Sequence, residues 1–234
     1  MDAPTLLSHL FPEGHQIQTN GLFFSGQATA QGMKVAVIGS IDAAAIGVEL
    51  AFQMAGEVLA IVRRHPGRPI ILLVDTMGQR LTRRDELLGI NAYMAHLAKC
   101  LELARNQGHK VIGLVYSQAV SGGFLASSLL ADRCYALPEA EIRVMNLPAM
   151  ARITKIPLER LEQLSQSSPV FAPGVENYRK MGAITDVWQG DLAACLVDAL
   201  AEAGKDDNRR RLGAERQGRN LAEAVSERVR RAGR

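Results

Sequence analysis

The chain alternates short apolar runs with longer segments whose apolar residues recur at helical spacing. Residues 69–74 (PIILLV) and 111–115 (VIGLV) are continuous apolar runs of strand length, the pattern of strands buried on both faces. Residues 21–30 and 33–41 read as two further strands around a Gln31-Gly32 turn. Residues 43–64 carry Ile46, Leu50, Met54, Val58 and Ile61 at helical spacing, and the segment ends in Arg63-Arg64-His65 before Pro66-Gly67. A longer helix is predicted over 84–107 from Leu87, Leu88, Ile90, Met94, Leu97, Leu101 and Leu103, with Gly108 past its end. Short strands follow at 133–137 and 142–145, helices at 157–166 and 174–181 around a loop at 167–173, a strand at 183–188 and a helix at 192–203. Residues 1–20 read as an irregular lead-in, and the segment from 206 onward as Arg-rich and helix-forming.

Strands alternating with helices of ten to twenty residues indicate an α/β fold with parallel pairing. With short connections throughout 21–204, the reading is one domain, residues 1–204, plus a tail, 205–234.

Two stretches break the pattern with glycine. The strand at 69–74 runs into a polar loop, Asp75-Thr76-Met77-Gly78-Gln79-Arg80. The strand at 111–115 runs through a polar hinge, 116–118, into Ser121-Gly122-Gly123 and a small-residue run, 124–131, that reads as a buried helix. Glycine at a strand-to-helix junction permits a tight turn and close approach of a ligand to the main chain, and the first helical N–H groups have no intrahelical partner. Such a turn can hold an anion or a developing oxyanion; it can equally serve only to pack helix on sheet. Consecutive units of this kind usually lie side by side, so the turns at Met77-Gly78 and Gly122-Gly123 are expected to open at one edge.

Composition narrows the field. Of 234 residues, 27 are Lys or Arg and 24 Asp or Glu. The tail holds ten basic and five acidic residues, leaving 17 and 19 in the rest, so the globular part is close to neutral. The tail has no interleaved aromatics and is punctuated by acids, which favours a solvated helix or a docking surface for an acidic carrier over nucleic acid. Cys100, Cys134 and Cys195 are widely spaced with no CxxC, which fits reduced thiols in the cytoplasm and no zinc site. No secretory signal and no membrane-length apolar run is read in the sequence.

The segment HKVIGLVYSQAVSGGFLASSLLADRCYALPEAEIRVMN resembles the glycine-turn signature of the crotonase superfamily. Val74-Asp75-Thr76-Met77-Gly78 before a long helix, followed by residues 115–123, resembles its carboxyltransferase branch. The stretch SPVFAPGVENYRKMGAITDVW and the Arg-rich tail are similar to the gamma subunits of biotin-independent malonate decarboxylase.

The resemblance covers about residues 20–204. It implies a crotonase-like (ClpP/crotonase) spiral of ββα repeats and decarboxylation of a malonyl thioester on an acyl-carrier subunit bearing a phosphoribosyl-dephospho-coenzyme A arm. It also implies a homologous beta subunit across the active site. The backbone N–H groups at Met77, Gly78, Gly122 and Gly123 would be the oxyanion donors, with Ser121 and Asn146 as nearby polar groups. It implies no bound biotin and no metal, and the sequence has no Met-Lys-Met attachment lysine. Met77-Gly78-Gln79 departs from the P-G-A or T-G-F usual in that branch.

Three other readings stand beside this one. A Clp-type serine peptidase would place Ser121 near the turn, and residues 136–138 and 143–145 read much like its later strand. It needs a base, however, and His9, His15, His65, His96 and His109 all precede the serine, while Asn146-Leu147 follows Met145. A coenzyme A-thioester hydratase or isomerase would need a placed carboxylate, for which Asp85, Glu86, Glu139 and Glu141 are candidates that read equally well as solvated charges. A non-catalytic scaffold for the beta subunit needs none of these. Tyr116, Tyr178 and Trp188 read as core or interface residues, and Tyr178 or Arg179 as possible partner contacts.

Overall fold

A computed structural model describes residues 1–167, 172–204, 206–218 and 221–233. In chain order its elements are α1 (Ala3–Leu10), β1 (His15–Asn20), β2 (Phe23–Ala30), β3 (Met33–Ser40), β4 (Ala44–Ile46), α2 (Val48–Arg64) and β5 (Ile70–Gln79). Next come α3 (Arg83–Leu87), α4 (Ile90–Asn106), β6 (Val111–Val120), α5 (Ser121–Leu125), β7 (Arg133–Ala136) and β8 (Glu141–Arg143). The chain continues through α6 (Leu147–Thr154), α7 (Leu158–Ser167), α8 (Val175–Lys180), β9 (Asp186–Val187), α9 (Leu192–Glu202), α10 (Arg209–Glu215) and α11 (Ala222–Ala232).

The sheet runs β1-β2-β3-β5-β6-β7-β9, antiparallel from β1 to β3 and parallel from there on. Its two central strands, β5 and β6, are ten residues each and change neighbours halfway. Their first halves pair with β3 and β7, and their second halves with β4 and β8. The change falls where the β5–β6 register shifts, between Val74 and Thr76.

Asp75 sits at that shift and explains it. Its buried carboxylate accepts the Ala43 N–H at 2.9 Å and the Gln118 N–H at 3.1 Å, standing in for the missing ladder bonds. On one face of the sheet, Ile71, Leu73, Ile112 and Leu114 pack under α1 and α9; on the other, Ile70, Leu72 and Val111 pack under α2 and α4. A third cluster joins Val115, Ala119 and Phe124 to β8 and to Tyr178 of α8.

Several expectations change. Residues 75–79 of the expected polar loop and the hinge at 116–118 are strand, with the side chains of Asp75, Thr76, Gln79 and Tyr116 serving neighbouring backbone groups. The lead-in is regular: Asp2 caps α1 through the Thr5 N–H at 2.9 Å, and Leu6, Leu7 and Leu10 are buried under α9. The strand β1 was hidden because it is an exposed polar edge.

The helix at 43–64 begins as the strand β4, and the long helix at 84–107 breaks at Gly89, whose φ of 76° belongs to the left-handed region. The buried helix at 124–131 shrinks to α5 and a 3-10 turn at Ser128–Leu130. There the Ser127 hydroxyl takes the Gly123 carbonyl, and Ser128 packs onto Gly113, where a Cβ would lie 2.7 Å away. A five-residue helix carries little dipole, so that part of the anion argument lapses. The loop expected at 167–173 lies largely outside the described residues.

Candidate functional site

The two glycine turns do meet. Parallel pairing of Thr76 with Ala119 brings the ends of β5 and β6 together, with α5 starting immediately beyond. The approach is close enough to require glycine. A Cβ on Gly123 would lie 2.8 Å from Thr76 Oγ1 and 3.0 Å from Gly78 Cα. Gly78 has a φ of 99°, and a Cβ there would lie 2.9 Å from the Val120 carbonyl oxygen. These glycines pack α5 onto β5, and in doing so they bring two N–H-bearing turns together.

Most of those N–H groups are already engaged. The Gly78 N–H donates to Thr76 Oγ1 at 3.0 Å, and that hydroxyl donates onward to the Ala44 carbonyl at 2.6 Å. The Gly122 N–H donates to Gln79 Oε1 at 3.0 Å. The Met77 N–H reaches the Ala43 carbonyl at a long 3.4 Å. The Gly123 N–H has no acceptor among the described residues. Of the four anticipated donors, then, it is the one left open.

Ser121 turns the corner with φ of 52°, a left-handed conformation unusual for a residue with a side chain. Among the described residues no histidine is hydrogen-bonded to Ser121, so the peptidase reading has no base there. Asn146 is exposed, and its amide oxygen caps α6 through the Ala149 N–H at 2.8 Å. Tyr116 donates to the Ser40 carbonyl at 2.7 Å, and burial, with Asp75 nearby, raises its phenol above the usual range.

Of the four carboxylates considered for acid–base work, Glu86, Glu139 and Glu141 are exposed. Asp85 is buried rather than solvated. It accepts from Arg80 at 2.6 and 2.9 Å, from the Thr82 hydroxyl and from the Val48 N–H at 3.0 Å. The Arg80 guanidinium holds the Asp85 carboxyl well below the usual carboxylate range, so it is a fixed anion anchoring the start of α2 and not a proton donor.

Two residues near the turns carried no functional expectation of their own. Gln79 stood in the sequence only as a departure from a motif, and its contact with Gly122 becomes visible only when β5 and β6 align. Arg143 lies half-buried beside Val120 through the β6–β8 pairing, ion-paired to Glu141. No group of three or more His, Cys, Asp and Glu is placed to share a metal ion among the described residues, and none of their helices is long and apolar enough to cross a membrane.

A bent parallel sheet whose two central strands end in facing glycine turns, covered by helices on both faces, is the architecture of a crotonase-like subunit of the carboxyltransferase branch. The sequence model of the family "malonate decarboxylase gamma subunit" matches residues 42–233. The chain belongs to the malonate decarboxylase gamma subunit family.

The chain is 34% identical over 173 residues to the Malonyl-S-ACP:biotin-protein carboxyltransferase MADD of Malonomonas rubra, a match covering 69% of this chain and 59% of that protein. It thus spans about three-fifths of that relative's length. Among solved structures, it superimposes with TM-score 0.81 on a chain of a Pseudomonas malonate decarboxylase hetero-tetramer in complex with coenzyme A, at 26% identity over 98% of both chains. A chain of the Pseudomonas malonate decarboxylase MdcD-MdcE hetero-dimer matches with TM-score 0.77 and 27% identity, again over 98% of both chains.

Proposed function

We propose that this chain is one half of a malonyl-thioester decarboxylase, acting with a homologous beta subunit in the cytoplasm. The substrate is malonate held as a thioester on the phosphoribosyl-dephospho-coenzyme A arm of an acyl-carrier subunit. Breaking the bond between the α-carbon and the carboxylate releases CO₂ and leaves its electron pair as a thioester enolate. Protonation of the α-carbon then gives the acetyl thioester. The enolate oxygen is where charge develops, so donors aimed at it lower the barrier.

The observation that carries this reading is the contact of the Gly78 and Gly123 backbones, with the Gly123 N–H left open between them. The hetero-dimeric and coenzyme A-bound assemblies of the Pseudomonas relatives support the partner and the arm. The Malonomonas relative is named for transfer to a biotin protein; here the proposed fate of the carboxylate is release.

A second reading, a scaffold that inherited its turns, is favoured by one fact: the Gly78 and Gly122 donors are satisfied within the chain.

CO₂ release from malonyl thioester by this chain, by the beta subunit and by the pair tests the assignment, which expects activity only in the pair. Gly122→Ala separates the two readings. Its added methyl would lie 2.7 Å from Gln79 Oε1, so it displaces the end of a side chain and not backbone, and the variant should fold and assemble. A loss on the order of a hundredfold places chemistry at this turn; unchanged turnover assigns the chain to scaffolding.

A further inference from the structure

The residue at this turn that the reaction as written leaves unused is Gln79. It is half-buried at the end of β5, on backbone fixed on both sides. Gly78 is locked by Thr76, while Arg80 is held by Asp85 at 2.6 Å and by Glu49 at 2.8 Å. The side chain is fixed as well. A backbone N–H can only donate, so the bond from Gly122 compels Gln79 to turn its carbonyl oxygen toward that N–H and its NH₂ away from it, 3.8 Å from where a Cβ on Gly122 would lie. That NH₂ has no acceptor among the described residues.

The carboxamide therefore takes up one backbone donor and offers two hydrogens in its place. We propose that Gln79 is a substrate-binding donor of this subunit, with its Nε2 hydrogens directed at the thioester oxygen of the malonyl group. This rests on the decarboxylase reading above.

A neutral donor suits that task. A cation at the same place would also hold the malonyl carboxylate, stabilising the ground state whose charge must leave it. A carboxamide strengthens its bond as the thioester oxygen gains charge and gives the departing carboxylate no ionic partner. Anchoring through Oε1 fixes the donor before substrate arrives, which removes part of the ordering cost.

The test uses this chain assembled with its beta subunit. Gln79→Glu keeps shape and the acceptor for Gly122 but replaces both hydrogens with negative charge; kcat should fall on the order of a hundredfold with KM changed much less. Gln79→Ala removes the donor and bares the Gly122 N–H, so its loss should be smaller, about tenfold. Sizing chromatography and Tm confirm that both variants assemble. Wild-type turnover in Gln79→Glu would overturn the proposal, as would a faster Gln79→Ala enzyme, which would make Gln79 a plug rather than a donor.

An inactive wild-type pair would refute the decarboxylase reading and leave Gln79 to a second measurement, the Kd for acetyl-coenzyme A by calorimetry. Several-fold weakening in Gln79→Glu supports the donor; unchanged affinity rejects it.

Discussion

The glycine-turn edge and the C-terminal arm, residues 206–233, use the same device for different ends. At the edge, Gly78 and Gly123 let two strand ends meet. In the arm, α10 docks equally tightly: a Cβ on Gly182 would lie 2.2 Å from the Arg209 carbonyl oxygen, and one on Gly218 would lie 2.1 Å from that of Lys180. Arg216 then reaches in to donate to the carbonyls of Arg179, Ile184 and Thr185 at 3.0, 3.2 and 2.8 Å. What separates the two regions is what remains unsatisfied. The arm keeps one buried acceptor without a partner, Asn208 Oδ1, whereas the edge keeps donors, the Gly123 N–H and the NH₂ of Gln79, without an acceptor among the described residues. Close packing is therefore common to both regions, and what distinguishes the edge is its open donors.

Beyond α10 the arm changes character. Leu221, at the start of α11, and Val225 and Val229 on it are well exposed, and the helix is tied back through Arg210 to Glu223 and Glu227. Exposed pairs of this kind contribute at most about 1 kcal/mol.

The comparison can be broken most sharply at Gly123. Gly123→Val drives a branched side chain into Thr76 and the Gly78 backbone, so the expected outcome is loss of soluble, assembled protein, read by sizing chromatography. This makes it a probe of packing and not of catalysis, in contrast to Gly122→Ala.

Asp85→Asn comes next, with a fall in Tm of roughly 5–10 °C at neutral pH. The sign of its pH dependence follows from the lowered carboxyl. The folded pKa lies below the unfolded one, so the stabilisation is complete above about pH 4 and is lost as pH falls through the folded value. The Tm gap between wild type and variant should narrow in acid; a gap independent of pH would reject this account.

Arg216→Ala removes three carbonyl contacts from the arm at a cost of about 1–3 kcal/mol, measurable by denaturant unfolding, while the edge stays intact. Ser121→Gly relaxes a left-handed residue, with an expected gain of about 0.5–1 kcal/mol unless the strain is offset by greater freedom in the unfolded chain. Smallest of all, Val225→Asp on the exposed face of α11 should change the stability of the isolated chain by less than about 0.5 kcal/mol.

Much of this molecule was legible in its residues. Continuous apolar runs marked β5 and β6, helical spacing marked α2 and α4, and the two glycine stretches marked the junctions that the fold brings together. These features are local, since burial on two faces demands an unbroken apolar run and a tight turn demands glycine. Family resemblance pointed to the gamma subunit family that the comparison with known sequences bears out.

The polar ends of β5 and β6 were not legible as strand. Asp75 and Thr76 look like loop residues until the change of strand neighbours leaves backbone groups, the Gln118 N–H among them, for them to satisfy. Nor could the sequence say which donors stay open. The Gly122 N–H is taken by a side chain whose reach depends on strand register, the Gly78 N–H by Thr76 two residues back, and the Gly123 N–H finds no acceptor among the described residues. The sequence by itself determined where glycine must be. The tertiary structure decided which hydrogen bonds those glycines leave unmade, because the Gly122 donor meets its Gln79 acceptor only when segments 43 residues apart in the chain come together.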